Sequence, residues 1–212
     1  MTNVQPGVFR LIAASRIVSA LRTEGLTLYW LALACLLLQL LPAEARLWLE
    51  LHPATWWQGE YWRLLTGHLV HAGWWHWLLN ALGIAVLQQL LGPYLAVRHW
   101  MACCLFSAVF VSVGLGLISS LSYYLGFSGL LHALFIFAAL QALAREKVVA
   151  LAVLAIVLGK VVLEQIAGPA ESSARLIGIA VATDAHWLGA VAGLCFYLAR
   201  ALWSGPLKLQ FR

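Results

Sequence analysis

Long apolar runs broken by short polar segments make up most of this 212-residue chain. A helix that crosses the hydrocarbon core of a bilayer needs about 20 mostly apolar residues. By that measure the pattern predicts six spanning helices, at about 26–41, 74–91, 100–119, 126–143, 148–163 and 183–203. The longest polar stretch is 42–73, and the other connections leave no room for a second domain. The expectation is an all-α membrane protein forming one domain over 1–212, with both termini on the same side. The first run follows Arg10, Arg16 and Arg22, and 43–50 holds no compelling cleavage site. It therefore reads as a retained helix rather than a signal peptide.

Composition supports the bilayer as solvent. Hydrophobic residues are 63% of the chain and charged residues 10%; mean hydropathy is +0.88. Soluble domains carry about 25% charged residues. The net charge of +5 does not indicate a nucleic-acid partner. The basic residues form no patch and sit at the ends of apolar runs, where they set orientation. The four cysteines, Cys35, Cys103, Cys104 and Cys195, all lie inside apolar segments. Such cysteines act as small hydrophobes, with no spacing for a zinc site or a disulfide framework.

Charge then orients the spans. Arg10, Arg16, Arg22, Arg98, Arg145, Lys147, Arg200, Lys208 and Arg212 fall on one side, and Glu44, Glu50, Glu60, Glu164 and Glu171, against Arg46, Arg63 and Arg175, on the other. Basic residues mark the cytoplasmic side, so both termini are expected there. The 42–73 loop carries Trp48, Trp56, Trp57 and Trp62, with Trp74 at its edge, and is expected in the outer headgroup zone. The second, fourth and sixth spans then all start at the outer face. His76 and Asn80, Ser128, and His186 sit early in those three spans and share one depth.

The chemistry gathers at that depth. Gly126-Phe127-Ser128-Gly129 opens the fourth span. Small residues there can serve helix packing alone, but the first turn of a helix also offers unpaired N–H groups to an oxyanion. His186 shares a helix face with Gly189 and Gly193, a face another helix can approach closely. A packing histidine bonded to a carbonyl is the bland alternative. His76 and Asn80 are four apart on one face; they are either donors to developing negative charge or an interhelical clasp. His71 is either a loop-shaping interfacial histidine or part of the site. Asp184, two residues before His186, points to another face. It reads as the N-terminal cap of the last span, with Thr183 as competitor. Lys160 and Glu164 have the spacing to pair, and the lysine is expected to snorkel to the interface.

Taken together, Tyr61-Trp62-Arg63, Thr66-Gly67-His68, His71, His76 and Asn80, then Gly126-Phe127-Ser128-Gly129, then Ala185-His186 with Gly189, resemble the rhomboid intramembrane proteases. The likeness runs from about 59 to 202. It implies a six-helix rhomboid-like bundle in a bacterial inner membrane, with the site facing the periplasm. It implies a Ser128–His186 dyad without a third member, and an oxyanion site of His76, Asn80 and the Ser128 N–H. It implies no cofactor and no metal. Its partners would be transmembrane protein substrates within the lipid bilayer. His132, one turn after Ser128, stands where many rhomboids have a tyrosine packed on the catalytic histidine. This resembles the rhombosortase branch, associated with removing C-terminal Gly-Gly anchors, although Ala133 replaces that branch's frequent glycine. There His132 would either orient His186 or fill space.

Three other classes fit the composition less well. A catalytically silent rhomboid relative that binds clients would commonly lack the serine or the histidine. A metal- or haem-handling membrane protein would use His68, His71, His76, His132 and His186, but no span carries a His-x3-His pair. A transporter would show an inverted repeat, and none is evident.

Overall fold

The computed structural model describes residues 27–203. The arginines at 10, 16 and 22 and the basic residues at 208 and 212 lie outside that range. The described chain is helical. α1 is Thr27–Gln39, α2 Ala43–Leu47, α3 Arg63–Thr66, α4 Trp74–Leu91, α5 Val97–Ile118, α6 Ser128–Ala142, α7 Lys147–Ala167, α8 Glu171–Ile177 and α9 Thr183–Trp203. An isolated bridge between Leu51 and Tyr124 is the only β pairing among the described residues.

Among the described residues, three helices, α5, α7 and α9, are long and apolar enough to cross a membrane. Two helices, α4 and α9, have the bounds the pattern gave for expected spans, and of these only α9 meets that measure. The other expected spans shift at their ends, α7 running on past the expected 163 to Ala167. The first expected span shortens to the 13 residues of α1, and the fourth to the 15 of α6.

The arrangement is centred on α6. Nearly every residue from Gly129 to Ala142 is buried, on all faces of that helix. Lipid tails are as apolar as leucine, so close packing rather than water exclusion must hold such a helix in a bilayer. Its sequence suits this, with Ala133, Ala138, Ala139 and Ala142 fully buried between larger side chains. α9 packs on it more extensively than any other helix does. That contact explains the glycines of α9. A Cβ on Gly189 would strike the backbone of Gly129, and one on Gly193 the backbone of Ala133. Outward positions are apolar as well: Val148, Ile166, Leu117 and Leu202 are all at least 79% exposed. A multi-pass membrane protein presents such a surface to lipid.

The 42–73 loop is an ordered scaffold. The buried Arg63 guanidinium donates to the Leu47 carbonyl (2.8 Å) and the Glu50 carbonyl (2.7 Å), and to Glu60 (2.6 Å). Thr66 Oγ1 donates to the Leu49 carbonyl, and Trp62 Nε1 to the Trp48 carbonyl. The Trp-Arg pair thus folds the loop onto itself. The loop also grips the turn before α6. Leu51 and Tyr124 exchange backbone hydrogen bonds, and Gly126 N–H donates to the Gly67 carbonyl at 3.0 Å.

Candidate active site

Ser128 is the first residue of α6 and His186 lies in the first turn of α9. The tight contact of those two helices brings the serine hydroxyl to 2.9 Å from His186 Nε2. The other ring nitrogen fixes the tautomer. His186 Nδ1 lies 2.7 Å from Glu164 Oε2 on α7, and a carboxylate only accepts. Nδ1 therefore carries the proton, and Nε2 is a free acceptor for the Ser128 hydroxyl. This is the state a general base requires.

His132 lies flat on His186, with ring centroids 4.3 Å apart and an 18° interplanar angle. Its Nδ1–H donates to the Ser128 carbonyl at 2.7 Å, so its Nε2 is an acceptor; Lys160 Nζ approaches that atom at 3.4 Å. Lys160 makes the expected pair with Glu164, its Nζ lying 2.5 Å from Oε1 and 3.2 Å from His186 Nδ1.

The oxyanion candidates stand on the other side. The His76 ring lies against Gly126, which has φ +118°; a Cβ there would come within 2.6 Å of His76 Nε2. Positive φ favours glycine, so Gly126 supplies both the turn and the space. Ala72 N–H approaches His76 Nδ1 at 3.4 Å, which leaves Nε2 as a donor. Asn80 Nδ2 donates to the His76 carbonyl in its own helix at 2.9 Å. His71 stands behind this pair, its ring 5.0 Å from that of His76, and its Nε2 accepts the Phe127 N–H at 3.4 Å. Burial, together with His76 beside it, pushes the His71 pKa down to about 3, so the ring is neutral. A Cβ on Gly129 would crowd the Ala185 carbonyl and the Tyr124 hydroxyl, at 3.0 and 3.1 Å.

His76, Asn80, Ser128, His132, Glu164 and His186 all line one cavity of about 640 Å³. Its remaining wall is mostly apolar, drawn from α4, α6 and α7 and from the 120–125 and 173–182 segments. The connection holding α8 folds over it and touches α4. Among the sequence candidates, His71 and the four glycines stand behind this surface.

A family model for the rhomboid domain matches residues 58–202. The chain belongs to the rhomboid family. Members of this family are typically intramembrane serine proteases, and non-catalytic relatives exist. A comparison with curated proteins finds no match for the chain.

Two expectations change. Asp184 does not cap α9: it lies within the first turn, and its carboxylate accepts the Ser119 hydroxyl at 2.7 Å. The expected dyad stands beside a carboxylate after all, supplied by Glu164 from α7. Sequence reasoning also missed Tyr124, whose buried hydroxyl donates to the Gly126 carbonyl at 2.7 Å and braces the turn before Ser128. It missed the role of His68 as well, whose Nε2 bonds Ala108 and Ser112 on α5. A carboxylate at the end of an apolar run, one turn from a lysine, was the signal available for Glu164.

Proposed function

We propose that this rhomboid is an intramembrane serine endopeptidase with Ser128 as nucleophile and His186 as its base. The observation that carries the reading is the 2.9 Å contact between Ser128 Oγ and His186 Nε2 in the accepting tautomer. Ser128 Oγ attacks the scissile carbonyl of a membrane-anchored protein while its proton passes to His186 Nε2. His76, Asn80 and the Ser128 N–H at the start of α6 stabilise the oxyanion. His186 returns the proton to the leaving amine, and water then releases the acyl group. The apolar cavity between α4 and α7 accepts the substrate segment.

The finer reading follows the sequence. The chain is one rhomboid domain over 1–212 with six spans and cytoplasmic termini. It resides in a bacterial inner membrane, with the cavity toward the periplasm. His132 supports the rhombosortase branch and substrates with C-terminal Gly-Gly anchors. Mass analysis of a Gly-Gly-tailed protein, co-expressed with the enzyme, tests the substrate class. Labelling with a fluorophosphonate probe tests the chemistry: the native chain reacts, and Ser128→Ala and His186→Ala do not. Equal labelling of all three rejects the protease.

One observation favours a second reading. Donor atoms of His132, Glu164 and His186 lie within 4.8 Å of one another, a grouping that could hold a metal ion. Activity lost to a chelator, in a chain the probe does not label, would support that reading.

A further inference from the structure

We propose that Glu164 is a positioning residue for His186, completing a Ser128–His186–Glu164 relay, with Lys160 clamping its second carboxylate oxygen. The inference rests on the serine-protease reading of the site. It starts from an ambiguity at one atom. Two groups face His186 Nδ1, namely Glu164 Oε2 at 2.7 Å and Lys160 Nζ at 3.2 Å. They ask for opposite tautomers. An ammonium only donates, so pairing with Lys160 would require a bare Nδ1. The ring proton would then sit on Nε2, and Ser128 could not surrender its own.

Distance decides for Glu164, and the surroundings explain why that geometry persists. The Glu164 side chain is 10% exposed, whereas that of Lys160 is 46% exposed. The carboxylate thus has little freedom to leave, and the lysine stands at the cavity edge. Lys160 Nζ is held by Glu164 Oε1 and His132 Nε2. Those two acceptors draw its protons away from Nδ1. His132 is itself fixed by the Ser128 carbonyl and stacks on His186. The base is therefore held on its edge by Glu164 and on its face by His132. When His186 takes the Ser128 proton, the adjacent carboxylate opposes the new charge in a place that water reaches poorly.

The clamp also predicts what an isosteric change would do. In Glu164→Gln, the Lys160 ammonium keeps its acceptor oxygen, so the amide NH2 is turned toward His186 Nδ1. That donor imposes the tautomer with the proton on Nε2. An amide in place of the third-member carboxylate has this effect in other serine proteases, where it costs about 10⁴-fold in kcat.

The test uses the full chain in detergent with a fluorophosphonate probe, reading the maximal labelling rate and the half-saturating probe concentration separately. Glu164→Gln should lower the maximal rate by about 10²–10⁴-fold with half-saturation unchanged. Glu164→Asp, which is shorter but still a carboxylate, should keep more of the rate than the better-fitting amide. A purely structural role predicts the reverse order, tracking melting temperature, and that order would overturn the inference. So would a native rate in Glu164→Gln. If Ser128→Ala removes labelling while Glu164→Gln keeps it, only the relay fails. If Ser128→Ala still labels, the protease reading itself fails.

Discussion

Gly126 and His76 are matched so closely that the imidazole occupies the place where a side chain at 126 would begin. Gly126→Ala therefore meets two penalties at once. The residue must keep φ near +118°, and the ring must move. Strained backbone of this kind costs about 1–3 kcal/mol. Displacing a group at the reacting centre by about 1 Å can cost 10²-fold in rate. The variant should melt earlier in detergent and label with the fluorophosphonate about 10²-fold more slowly. A native labelling rate would show that His76 need not stand there.

His76 and Asn80 should not contribute equally. His76 Nε2 is free to donate, whereas one Asn80 N–H is already committed to the His76 carbonyl. His76→Ala should lower turnover by about 10²–10³-fold, the usual effect of losing an oxyanion donor. Asn80→Ala should cost about tenfold, acting partly through the position of His76. Equal losses, measured on one test substrate, would count against this division.

Lys160 touches all three donors of the His132–Glu164–His186 group, standing where a cation would be bound. Lys160→Met opens that place without adding charge. Neutral imidazole and carboxylate are ordinary zinc ligands, and a metal on His186 would remove the base. The variant should be inhibited by micromolar zinc that leaves the native chain active, and EDTA should restore it. Equal zinc sensitivity of the two proteins would mean that Lys160 does not guard the cluster.

Two loop histidines make stability depend on pH. Burial pushes His68 down to about 4 from 6.5. Burial, with His76 beside it, pushes His71 down to about 3 from the same value. The unfolded chain binds these protons first, so stability is complete above about pH 6.5 and falls as pH drops toward those values. Each histidine contributes a slope of about 1.4 kcal/mol per pH unit within its window. Melting temperature in detergent should fall between about pH 6.5 and pH 4, and less steeply in His71→Asn. A flat profile would show that water reaches both rings when folded.

Local patterns carried much of the architecture. α4 and α9 begin and end where apolar periodicity and the Gly73 and Thr183 boundaries put them. The glycine face at 189 and 193 announced a close helix contact, and α6 supplies it. Ser128 and His186 stood out because each opens a helix on the same expected side. Glu164 was harder to read. Its partner is 22 residues away on another helix, and the sequence gives no spacing that links the two. The i,i+4 spacing of Lys160 and Glu164 announced their pair, but not the two histidines that the lysine also meets. Tyr124 was invisible because its contact depends on a loop pairing with Leu51 that no local pattern encodes.

The grip of the 42–73 loop on the turn before α6 bears on the order in which the site is assembled. Gly67, Leu51 and His71 all precede Ser128 in the chain, and all hold that turn. A ribosome that has completed α6 has therefore already made the segments that hold that turn. His186 is made much later, on α9, and it comes beside Ser128 only when Gly189 and Gly193 seat against α6. On the protease reading proposed above, a half-made chain would hold the serine without its base, and activity would arrive only with α9.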